Sequence, residues 1–111
     1  MAFDVITPKK LATTLIPIVL GSIYTVAANT RTFLKNIDVC NANSYPVKIT
    51  LYLVPTGSSA DTSNILLKDL NIPEKSNFQW SGIQILEAGA TIQAIADLTD
   101  CSAHISGGEA L

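Results

Sequence analysis

Residues 46–55 read Pro-Val-Lys-Ile-Thr-Leu-Tyr-Leu-Val-Pro, and this stretch decides the fold class. Val47, Ile49, Leu51 and Leu53 fall at every second position, with Lys48, Thr50 and Tyr52 between them. Successive side chains of an extended chain point to opposite faces, so the spacing predicts a strand with Val47, Ile49, Leu51 and Leu53 turned to the core. A helix needs apolar residues three and four apart over several turns, and no segment of the chain sustains that pattern.

The segments on either side read the same way. Upstream, residues 31–41 place Phe33, Ile37 and Val39 on one face, with Lys35 as the exception, and run into the turn-forming cluster Asn-Ala-Asn-Ser-Tyr-Pro. A hairpin between residues 31–41 and 47–54 is the expectation. Downstream, residues 55–64 are rich in Pro, Gly, Ser, Asp and Asn and predict an exposed loop. A short strand at 65–70 follows, then a turn. In residues 78–86, Phe78 and Trp80 share a face opposite Gln79 and Ser81, and 87–90 is a turn. Residues 91–97 and 101–108 are the last strand candidates. Near the start, 11–20 and 22–26 are extended segments separated by Gly21, and Pro17 marks the first as an edge strand or surface arm. Short strands at intervals of roughly ten residues predict an all-β chain: a single antiparallel β-sandwich, jelly-roll-like, over 21–111, with an arm or edge strand over 1–20.

Composition narrows the function. Hydrophobic residues make up 48% of the 111 and charged residues 14%, so the outer surface must be built from hydroxyl and amide side chains. The net charge is −2 and the seven Lys and Arg residues are scattered, so no positive field is available to gather phosphates. Nucleic acid is not an expected partner. The apolar run after Lys9 and Lys10 has the outline of a secretory leader, but Thr13, Thr14 and Pro17 interrupt it. It is also shorter than the ~20 residues a membrane span needs, so no membrane partner is expected.

Groups able to carry chemistry are few. Cys40 and Cys101 have no metal-ligand spacing and read as small buried hydrophobes; a disulfide would need their strands to be neighbours. His104 shares a strand face with Ser102 and Ser106, but no nucleophile elbow surrounds any serine. Asp61, Asp97 and Asp100 fall in turns, where Asp caps the local backbone, and lack the spacing of a calcium loop. No catalytic centre, metal or cofactor is expected. Trp80 has two readings, a core filler beside Phe78 or, with Tyr24, Tyr45 or Tyr52, a platform for stacking a sugar. Phe3, Val5, Ile6, Lys9, Lys10 and Leu11 are the candidate subunit contacts, because an apolar arm broken by Pro8 and Pro17 and carrying a lysine pair needs a neighbour to cover it.

Taken together, residues 23–57 and 78–94 resemble a pattern found in small virion proteins of tailed bacteriophages. The elements are a Tyr-Thr-Val strand, Cys-Asn at the end of the next strand, Leu-Tyr-Leu-Val-Pro-Thr-Gly at 51–57, and Leu-Glu-Ala-Gly-Ala-Thr-Ile-Gln-Ala at 86–94. The chain is most similar to the capsid decoration, or staple, proteins of epsilon15-type podovirus heads. That resemblance implies a jelly-roll-like domain on the outer capsid surface of the virion, made in the host cytoplasm. It also implies binding to the major capsid protein, clamping of neighbouring capsid subunits and self-association as a dimer. Ala28 and Ala90 depart from the pattern, where relatives often carry Pro and an acidic residue. A place at the tail or neck, or a carbohydrate-binding role in host attachment, is the alternative.

Overall fold

A computed structural model describes residues 6–110, which form eight antiparallel strands: β1 (Ile6–Leu15), β2 (Gly21–Thr25), β3 (Arg31–Asn41), β4 (Val47–Val54), β5 (Ile65–Ile72), β6 (Asn77–Leu86), β7 (Thr91–Ala96) and β8 (Cys101–Ala110). They make two four-stranded sheets, ordered β1-β8-β3-β6 and β2-β7-β4-β5. The pairs are nested, β4 with β5, β3 with β6, β2 with β7 and β1 with β8. One long ribbon of paired strands is therefore wrapped on itself, which is the jelly-roll form of the β-sandwich. Residues 6–15, within the stretch read as arm or edge strand, are the outer strand of the first sheet.

The core lies between the sheets and is aliphatic. Leu34, Ile37 and Val39 of β3 and Ala103 and Ile105 of β8 face Val47, Ile49 and Leu51 of β4 and Ile92 and Ala94 of β7, all with no solvent exposure. The alternation in β4 puts Val47, Ile49 and Leu51 inside and leaves Lys48 exposed; Leu53 packs half-buried against the same cluster. Thr50 is buried although it points away from the core. Opposite it, β5 carries extra residues and Asp69 adopts φ 46°, and the Asp69 amide donates to the Thr50 hydroxyl at 3.1 Å. The side-chain oxygen supplies the bond that the broken ladder cannot.

Two expectations are corrected. First, β3 and β4 do not form a hairpin, since β3 belongs to one sheet and β4 to the other. The turn between them crosses the sandwich, anchored by Asn41, which is fully buried. The Asn41 amide donates to the carbonyls of Tyr45, Ile72 and Pro73 at 2.8, 3.1 and 3.1 Å, and its oxygen accepts the Asn43 amide at 2.9 Å. Second, Phe33 does not share a face with Ile37 and Val39. The ladder from β3 to β8 shifts between Leu34 and Asn36, so Lys35 is an inserted residue and the side-chain parity reverses there. Thr32 and Leu34 point inward on one side of the bulge, Ile37, Val39 and Asn41 on the other, and Phe33 points out.

Candidate interaction surface

The bulge at Lys35 is one of three in register across the first sheet. β1 gains a residue at Leu11 relative to β8, and β6 gains one between Ser81 and Gln84 relative to β3. This line divides the outer face of the sheet into two halves of different chemistry. On one side lie Asn36, Asp38, Gln79, Ser81, Ser102 and His104. Gln79 and Ser81 donate to the Asn36 oxygen at 3.0 and 3.4 Å, and the Asn36 amide donates to Asp38 at 3.0 Å. This half is a solvated hydrogen-bonded network.

The other half is apolar. Ile6, Pro8, Phe33, Lys35 and Ile83 enclose a groove of about 420 Å³ together with Gly107 and Gly108. Ile6, Ile83 and Ile85 are each more than half exposed, at 54%, 62% and 55%. Exposed large aliphatics gathered on one face and bordered by polar side chains are the mark of an interaction site rather than of a free surface. Gly108 opens the groove: a Cβ there would lie 2.7 Å from the Ile6 side chain. A second exposed run, Ile18, Val19 and Leu20, lies in the connection from β1 to β2.

The residues expected to touch a neighbour are spread over different surroundings. Phe3 and Val5 lie outside the described residues. Ile6 forms a wall of the groove. Lys9 turns the other way and pairs with Glu109 at 3.0 Å, Lys10 reaches His104 Nδ1 at 3.3 Å, and Leu11 packs against the core. Only Ile6 of the described four belongs to the apolar face. Phe33, Ile83 and Ile85, its other members, carry no signal in the sequence that separates them from core residues.

At the end of the sandwich where Lys9 sits, a small polar cluster ties both sheets together. The Tyr24 hydroxyl of β2 donates to Glu109 of β8 at 2.7 Å and lies 2.8 Å from the Thr32 hydroxyl of β3. The Tyr24 hydrogen bond, and then that from Lys9, hold the Glu109 carboxyl below its usual range. Burial pushes the Tyr24 phenol up to about 12, with Glu109 adding to the rise and the Thr32 hydrogen bond opposing it. The signs give stability lost at both extremes. A depressed Glu109 contributes stability above its unfolded value of ~4.3 that disappears as pH falls through the folded value. A raised Tyr24 contributes stability below its unfolded value of ~10 that is lost as pH climbs toward the folded one. Glu109→Gln should flatten the fall of the thermal midpoint below about pH 4. Melts from pH 6 to pH 3 that run parallel in the two proteins would show that the cluster is not the acid-sensitive element.

The groups with chemical potential stand apart. No group of three or more His, Cys, Asp and Glu residues able to hold a metal occurs among the described residues. His104 is opposite Asp38 and flanked by Ser102 and Ser106 on an open sheet face, and the backbone amides of β8 pair with two neighbouring strands. Asp61 accepts from the Ser63 hydroxyl and amide, which lower its carboxyl, and Asp97 accepts the Lys48 amide at 2.9 Å. Cys101 is buried, its thiol pushed up to about 11 by that burial and less by Cys40 and Asp97. Cys40 departs from the buried reading: it is exposed, because Asn41 takes the inner place at the end of β3. The two thiols are free and lie on opposite faces of adjacent strands. Trp80 packs half-buried against the core, and Tyr45 stands exposed in the β3–β4 turn.

No family model matches the chain. No curated protein matches it either. Among solved structures, a chain in the structure of infectious bursal disease virus, Gx strain, is similar over 95% of this chain, with 8% identity and a TM-score of 0.37. The match covers 28% of that viral chain, so the protein spans little more than a quarter of its length. A likeness this loose says nothing about partners or activity.

Proposed function

We propose that the chain is a non-enzymatic structural protein of a tailed-phage particle, which lies on the outer capsid surface and clamps neighbouring capsid subunits. The observation that carries this reading is the apolar groove on the outer face of the first sheet, walled by Ile6, Phe33 and Ile83. The sequence likeness to head decoration proteins gives the groove a partner, the major capsid protein. A groove on a flat sheet face suits an apolar side chain presented by a large surface, and repetition over a lattice turns modest single contacts into stable coverage. Protein bound only to the assembled shell stabilises that shell by mass action.

The test is cosedimentation of purified protein with empty podovirus heads lacking decoration protein. Saturable binding is the expected result. Ile83→Asp should weaken it at least about tenfold, because a carboxylate at the groove must be desolvated on docking, while the thermal midpoint stays near that of the parent. Absence of binding by the parent protein, or equal binding by the variant, would sink this assignment. The carbohydrate-binding alternative has less support, since Trp80 packs half-buried against the core and Tyr45 is the only largely exposed aromatic among the described residues.

A further inference from the structure

A sandwich of two open sheets has four edges, and edges need protection against pairing with other chains. Three of them have it. β1 carries Pro8, Lys9 and Lys10 and bulges at Leu11. β2 is five residues long and shifts register between Ser22 and Tyr24. β5 carries Lys68 and is broken at Asp69. β6 differs: it is ten residues long, with no charged residue and no proline, and its irregularity falls between Ser81 and Gln84. Residues 77–81 are therefore a straight, uncharged edge with backbone donors and acceptors facing outward. Beside it, Phe78 and Trp80 pack against the core yet stay only half-buried, so part of each side chain is open.

We propose that residues 77–81 are the seam of a homodimer, in which β6 of a second copy pairs antiparallel about a two-fold axis at Gln79. The register follows from alternation. Antiparallel neighbours present the same face, and an axis at Gln79 is the one that uses the whole straight stretch without entering the bulge. It sets Asn77 opposite the partner's Ser81, Phe78 opposite the partner's Trp80, and Gln79 opposite the partner's Gln79. Each aromatic then covers the open side of its counterpart, and aromatic cross-strand pairs are among the most favourable in sheets. No like charges meet across the seam, as they would at the Lys9 and Lys10 edge. The first sheet becomes a continuous eight-stranded sheet, with both apolar grooves on one side. This seam stands whatever the groove binds.

Sedimentation analysis of the full chain at micromolar concentration should return a dimer. Gln79 is exposed, so Gln79→Lys and Gln79→Glu leave the fold intact and place two like charges at the axis. Each variant alone should dimerise at least about tenfold more weakly, and an equimolar mixture should recover a mixed dimer as opposite charges meet. A monomeric parent, an undiminished dimer in either variant, or a mixture that stays monomeric would overturn the proposal.

Discussion

Gly107→Ala should lower the thermal midpoint by more than about 10 °C, at roughly 4 °C per kcal/mol for a chain of this size. A Cβ at Gly107 would fall 1.9 Å from the Phe33 carbonyl oxygen and 3.0 Å from its carbon. Both belong to the backbone of β3, which is held between β8 and β6, so neither can step aside. Overpacking of this kind costs about 3 kcal/mol or more when the obstacle is fixed, far above the ~0.5–1 kcal/mol that Ala recovers by restricting the unfolded chain. Gly108 provides the comparison. There the nearest obstacle is the γ-methyl of Ile6, a side chain on the edge strand, and the nearest backbone atom, the Thr7 carbonyl oxygen, is 3.3 Å away rather than 1.9 Å. Gly108→Ala should cost less than about 1.5 kcal/mol. Equal losses in the two variants, measured by thermal and urea melts, would mean that β3 is not rigid where it crosses β8.

Asn41→Asp should be as damaging at neutral pH, and for a different reason. The Asn41 amide faces three carbonyl oxygens, so a carboxylate in its place sets negative oxygen against three acceptors in a site without solvent. An uncompensated buried charge costs on the order of 3–5 kcal/mol, whereas Asn41→Ala only strips the carbonyls of their partner, at about 2–4 kcal/mol in all. The two variants separate with pH. Burial raises the folded value of the introduced Asp above ~3.9, so protonation relieves it, and its deficit relative to the parent at the same pH should shrink as pH falls. Asn41→Ala has no such group and should show a deficit less dependent on pH. If Asn41→Asp melted within a few degrees of the parent at pH 7, the turn it anchors would be free to rearrange.

These residues also mark how far the sequence reading reached. The alternation in β4 is visible because its packing against β7 is unbroken, with Ile49 opposite Ala96 and Leu53 opposite Ile92. In β3 a single inserted residue, Lys35, reverses the parity, and strict alternation carried back from Val39 and Ile37 then assigns Phe33 to the wrong face. The apolar half of the outer surface was hidden for the same reason, since Phe33, Ile83 and Ile85 look like core residues until the bulges are placed. Asn41 was hidden by distance along the chain: its partners come from the turn after β3 and from the end of β5, which no local spacing brings together. The turns themselves were legible, with Lys75, Gly89 and Asp100, all in predicted turns, taking positive φ.

The nesting of the strand pairs has a consequence for how the chain comes together in time. β4 and β5 are consecutive in the chain and linked by one loop, whereas Ile6 of β1 pairs with Ala110 of β8. During synthesis β1 emerges first and waits for the last strand before its own ladder can form. Closing such distant contacts costs chain entropy before any of them is rewarded, which places folding in the millisecond-to-second range of all-β domains. The ribbon is therefore expected to zip outward from the β4–β5 hairpin, with the outer strand of the first sheet, and with it the Ile6 wall of the groove, completed at the end.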